Sequence, residues 1–121
     1  MGPQLGFGRY GIQSCRAGRL SHRAIEAARR AISGQFHRAM SGQFRRNSKV
    51  WVRVFADLPV TEKSTGVRMG RGKGNPTGRI ARVSTGKILF EMDGVSLSNA
   101  RQAAALAAHK LSLSTKFVQR S

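Results

Sequence analysis

The chain has 121 residues, with 22 Lys+Arg against 5 Asp+Glu, a formal net charge of +17 and a pI near 12.0. That length allows one modest core and one domain spanning 1–121, and its 40% apolar residues fall in runs far shorter than a membrane span, so a soluble protein is expected. The one cysteine, Cys15, excludes an internal disulfide framework and a Cys-rich zinc site.

A monomer this cationic repels itself unless a polyanion neutralises it, which makes nucleic acid the expected partner. The charge is uneven: residues 1–82 hold 17 Lys+Arg against Glu26, Asp57 and Glu62, whereas 83–121 hold 5 against Glu91 and Asp93. The binding surface is therefore expected in the first two-thirds. Most of the cations are arginines, whose planar fork pairs with phosphate and stacks on bases, as a permanent RNA interface requires. The first eleven residues carry no apolar h-region and no Arg/Ser-rich presequence, so an organellar protein of this sequence is expected to be made in place or already processed.

In chain order, residues 6–16 read as a Gly-weakened strand or an extended arm, with Phe7 and Tyr10 packing on the domain or stacking on bases. Ser21 caps an amphipathic helix over 21–33 whose stripe is Ile25, Ala28, Ile32 and Phe36, leaving Arg23, Arg29 and Arg30 solvated or facing RNA. Gly34 and Gly42 weaken the continuation, which is expected to fray or break before Asn47. The repeated S-G-Q-F at 33–36 and 41–44 brings Arg38, Arg45 and Arg46 into a second basic patch. Lys49–Phe55 alternates as a strand with Val50, Val52 and Val54 toward the core and Trp51 and Arg53 on the other face, and Pro59 is expected to end it.

Residues 66–78 hold five glycines, three cations and no carboxylate. Such a segment buries nothing and orders its backbone at high entropic cost, so it reads as a loop that lies against a polyanion. Arg79–Val83 and Lys87–Met92 read as a hairpin with glycine at its left-handed position. Asn99–Leu111 is an Ala-rich helix with its small stripe toward the sheet, and Leu113–Val118 is a closing strand. The sum is an α+β fold: an antiparallel or mixed sheet with two helices packed on one face, plus the extended Gly/Arg-rich loop.

Enzymatic signatures fail. A Walker loop ending at Gly72-Lys73 would need glycine where Val67 stands and a hydroxyl where Gly74 stands, and G-x-G-x-x-G meets Asn75 at its third glycine. His22, His37 and His109 have no Cys or carboxylate at ligand spacing, and Glu91 and Asp93 read as strand-edge and turn residues. No enzyme, metal or cofactor is expected. The alternatives are an architectural DNA-binding protein, since charge does not separate DNA from RNA, and a cationic membrane binder, which the small alanine stripes disfavour.

Four segments, R-L-S-H-R-A-I-E-A-A-R-R-A (19–31), K-V-W-V-R-V-F-A-D-L-P-V-T-E-K (49–63), V-R-M-G-R-G-K-G-N (67–75) and L-F-E-M-D-G-V (89–95), occur in an order that resembles the large-ribosomal-subunit protein sixteen family. G-N-P-T-G (74–78) and L-S-N-A-R-Q-A-A (97–104) look like its plant mitochondrial members. The resemblance implies a structural protein of the mitochondrial matrix ribosome, with the bacterial cytoplasm or the plastid as the alternative, bound to large-subunit rRNA near the base of the central protuberance, among neighbouring ribosomal proteins, with no small-molecule substrate. It implies rRNA contacts at Arg19, Arg29, Arg30, Arg53, Arg68, Arg71 and Lys73, to which the basic patch adds Arg38, Arg45 and Arg46. The loop Arg68, Met69, Gly70, Arg71, Gly72, Lys73 and Gly74 would face A-site tRNA. Arg79 stands where relatives carry tryptophan, and an arginine on a half-buried strand is costly unless its head reaches solvent or phosphate.

Overall fold

Seven short strands and two helices follow one another in the computed structural model, which describes residues 5–39, 47–61 and 76–120. They are β1 (Tyr10–Ser14), β2 (Gly18–Ser21), α1 (His22–Ala39), β3 (Lys49–Val52), β4 (Leu58–Thr61), β5 (Pro76–Val83), β6 (Ile88–Asp93), α2 (Leu97–Lys110) and β7 (Thr115–Gln119). The class is α+β with every strand pair antiparallel, but the strands divide into two sheets, β3-β6-β1-β7 and β2-β5-β4.

The division overturns the expected hairpin, because β5 joins the three-stranded sheet and β6 the four-stranded one. Ser14, at the end of β1, supplies the reason. Its N–H donates to Lys87 O at 2.9 Å and its carbonyl accepts from Gly86 N at 3.0 Å, so β1 takes the positions a returning β5 would need. The Ser14 hydroxyl donates to Ser84 O at 2.8 Å and accepts from Lys87 N at 3.1 Å. The glycine expectation survives, since Gly86 turns the chain at φ 87. Pro59 lies inside β4 rather than ending a strand, which is tolerated because β4 is an edge.

In α1 the expected stripe is buried throughout, and Ser21 Oγ accepts from Ala24 N at 3.0 Å as the cap. The helix runs past Gly34 to Ala39 because burying Phe36, 2% exposed, contributes about 1.5–3 kcal/mol against roughly 0.5–1 kcal/mol for an interior glycine. In α2 Ala100, Ala103, Ala104 and Ala107 are buried, and Ser96 Oγ caps Asn99 N at 3.1 Å. This small face lets α2 pack chiefly against α1, with Gln35 and Gln102 bonded across the pair at 2.8 Å.

The N-terminal segment seats on the outer face of the four-stranded sheet. A Cβ added to Gly8 would fall 2.4 Å from the Met92 carbonyl oxygen and 2.9 Å from its carbon, both backbone of β6. Gly8→Ala is therefore expected to cost at least about 1–3 kcal/mol, read as a lowered thermal midpoint. A wild-type midpoint would mean the segment is not seated there.

Candidate nucleic-acid interface

Alternation in the three-stranded sheet sorts its side chains into an inner set, with Leu20, Ala81 and Val83 buried, and an open set. The open set contains Arg19 of β2 directly opposite Arg82 of β5, both exposed. Like charges facing across an antiparallel pair repel, and no carboxylate partner for either is found among the described residues. Ser21, Ile80 and Leu58 form the next row, with Leu58 39% exposed.

This face opens into a cleft of about 440 Å³ lined by Ser21, His22, Arg23, Gly78 and Arg79. The cleft sits at the N-terminus of α1, whose first turn holds no acid. A helix N-terminus favours negative charge, so Arg23 there is in the unfavourable place unless an anion comes to it. Arg79 is exposed and its Nη1 donates to Asp57 O at 3.2 Å, so its head does reach the surface as the strand position demands.

The remaining sequence-derived contacts are scattered. Arg29 bonds Glu26 at 2.6 Å and Arg30 approaches the same carboxylate at 3.5 Å, with their side chains 39% and 74% exposed. The Arg29 hydrogen bond, opposed by burial and helped by the charges of Arg29 and Arg30, holds Glu26 below the usual carboxylate range. Arg29 also lines a second cleft of about 250 Å³ with Ser33, Phe36, His37, Ser48 and Val50. Arg38 is exposed and reaches Gln35 Oε1 loosely at 3.5 Å. Arg45, Arg46, Arg68, Met69, Gly70, Arg71, Gly72, Lys73 and Gly74 lie outside the described residues.

Arg53 has an internal partner. Its Nη1 pairs with Glu91 Oε2, a carboxylate with no solvent exposure on the central strand β6, not at an edge. Glu91 also accepts from Gly6 N at 3.0 Å, Phe7 N at 2.7 Å and Gly8 N at 2.8 Å. Burial pushes its pKa up, but the three amides and the Arg53 charge outweigh burial and hold it below the usual value. Arg53 also lies over the Phe7 ring, 4.9 Å from its centroid, and Phe7 stacks on Trp51 at 5.7 Å and 21°. Tyr10 packs inward on Phe117. Sequence reasoning named Arg23 as solvated or facing RNA but did not single out Arg82 or His22 as binding residues, although S-H-R at a helix start without an acid is a readable signal. No spacing could reveal Glu91, because its amide partners lie 83 to 85 residues away. No group of three His, Cys, Asp or Glu placed to hold a metal occurs among the described residues, and none of their helices is long and apolar enough to cross a membrane.

Fold and surface define a class, a small α+β protein that presents arginines without a carboxylate partner among the described residues on an open sheet face and at a helix start, where phosphate binds best. Residues 1–118 match the family described as ribosomal protein L16p/L10e, and the chain belongs to that family. It is 84% identical over 118 residues to the large ribosomal subunit protein uL16m of Arabidopsis thaliana, covering 98% of this chain and 66% of the relative. Against the protein of the same name from Oryza sativa subsp. japonica the identity is 82%, covering 98% and 64%. The large ribosomal subunit protein uL16 of Xanthobacter autotrophicus is 47% identical, covering 98% and 81%. The chain thus spans about two-thirds of the length of these plant relatives.

Proposed function

We propose that the chain is a structural constituent of the large subunit of a plant mitochondrial ribosome, in the matrix, and works in translation by binding large-subunit rRNA. The observation that carries the reading is the Arg19–Arg82 pair, a repulsive arrangement that a bridging phosphate turns favourable. Identity of 84% and 82% to plant proteins named uL16m, against 47% to a bacterial uL16, supports the mitochondrial assignment.

In this reading Arg19, Arg29, Arg30, Arg38, Arg45, Arg46, Arg53, Arg68, Arg71 and Lys73 touch rRNA near the base of the central protuberance, joined by Arg23, Arg79 and Arg82. For Arg53 the contact is limited to the 32% of its side chain left open beside Glu91. The loop Arg68 to Gly74 faces A-site tRNA and helps shape the peptidyl-transferase region, with bond-making left to RNA. Thr61 and Pro76, which flank the segment holding that loop in the sequence, are paired across β4 and β5. Neighbouring ribosomal proteins complete the surroundings.

The test is co-sedimentation of the chain with mitochondrial large subunits through a high-salt wash, where retention is expected. Release to the free pool at moderate salt would point to a loosely associated factor instead.

A further inference from the structure

We infer that the Phe7–Trp51 stack is a platform for one unpaired RNA base, with cations on either side to take the flanking phosphates. The inference rests on the RNA-binding reading above and deepens it. Phe7 is 55% exposed, while its ring is held by Trp51 and by the Arg53 guanidinium. Its backbone is held as firmly, since the N–H groups of Gly6, Phe7 and Gly8 all end on the buried Glu91 carboxylate. That set fixes where the Phe7 backbone sits, and the contacts with Trp51 and Arg53 fix its ring. Phe55 is still more exposed, at 72%, but no aromatic or cationic side chain holds its ring among the described residues. A fixed, open aromatic face costs little further entropy when a ligand stacks on it.

Size and charge choose the occupant. A phenylalanine buries on the order of 150–250 Å² when covered, so the open part of Phe7 is about 100 Å², the scale of one base. A stable protein partner needs roughly 800 Å² on each side, and the other exposed large apolar residues, Phe55, Leu58 and Leu97, do not belong to this stack. Lys49, two residues before Trp51 on the same face of β3, and Arg9, two residues after Phe7, are both exposed and cationic. Every base has a π face, so such a site takes a splayed nucleotide of any identity.

Trp51 is the only tryptophan in the chain and reports directly on the stack. Titration of the chain with a short oligoadenylate is expected to quench Trp51 fluorescence saturably, while an abasic oligonucleotide of equal length and charge binds more weakly and quenches little. In anisotropy with labelled oligoadenylate, Phe7→Leu is expected to weaken binding about 5- to 150-fold, the equivalent of roughly 1–3 kcal/mol, with an unchanged salt slope because every cation that meets a phosphate is still in place. Phe7→Tyr should restore the affinity. Equal binding of the abasic strand by the unaltered protein overturns the platform yet leaves RNA binding standing, and that comparison needs no variant to fold. Binding of neither strand removes the RNA reading as well. A Phe7→Leu chain that keeps its oligoadenylate affinity but is lost from large subunits would overturn the platform in favour of a protein contact.

Discussion

Glu91→Gln is expected to lower the stability of the chain by about 3–5 kcal/mol and its melting midpoint by on the order of 10–20 °C. The carboxylate has no solvent exposure and four donors converge on it, three of them backbone amides. An amide in its place offers one acceptor oxygen and aims an NH2 group at donors, so buried N–H groups go unsatisfied. A domain of this size is stable by only about 5–15 kcal/mol, so the loss is a large share of the whole. Arg53→Met is expected to cost less, because its side chain is 32% exposed and the amides keep their acceptor. Asp93→Asn, two residues along β6, removes a carboxylate with one local bond, to Gly94 N at 2.7 Å, and is expected to cost about 1 kcal/mol. Equal losses for the Glu91 and Asp93 variants would mean that the N-terminal clamp contributes nothing of its own.

The same carboxylate gives the stability a pH dependence of known sign. Its folded pKa lies below the ordinary 4.5, so the unfolded chain binds the proton first as acid is added. The contribution is complete above the unfolded value, begins to fade from about pH 5, and is lost as pH falls through the depressed folded value. Denaturant melts should therefore show a steeper loss below about pH 5 in the unaltered chain than in Glu91→Gln. Parallel acid limbs would place the ionisation elsewhere.

Local periodicity and long-range pairing account for what could and could not be read in this chain. The Ile25, Ala28, Ile32, Phe36 stripe was legible because a helix repeats its inward face every three to four residues, and all four are buried. The six residues of α1 beyond Ser33 were not, since local propensity registers Gly34 but not the pocket that receives Phe36. The β5–β6 hairpin was the natural local reading, and it failed because Ser14, some 70 residues upstream, takes the ladder positions. Arg19 was legible through the resemblance, but Arg82 acquires meaning only when register sets it opposite. Arg53 read as an outward cation by alternation, and alternation does place it on the outer face. The N-terminal segment that folds over that face and gives it Glu91 and Phe7 as neighbours leaves no trace in spacing.

The Arg19–Arg82 pair should respond to charge reversal in opposite ways for folding and for binding. Two arginines directly across a ladder destabilise it by roughly 0.2–1 kcal/mol, so Arg19→Glu, which sets opposite charges across the pair, is expected to leave the melting midpoint unchanged or raise it slightly. Reversing both, Arg19→Glu with Arg82→Glu, restores like-charge repulsion of the same small size and should melt near the unaltered chain. Affinity for large-subunit rRNA is expected to fall about 100-fold in the double variant, roughly 2.7 kcal/mol, because two phosphate attractions become two repulsions. The slope of log affinity against log salt should flatten by about 0.7–0.9 for each phosphate no longer neutralised, which a folding defect would not produce. If affinity and slope both hold while the midpoint drops, the pair serves the sheet rather than the RNA, and the phosphate must be sought around Arg23 and Arg79 at the start of α1 instead.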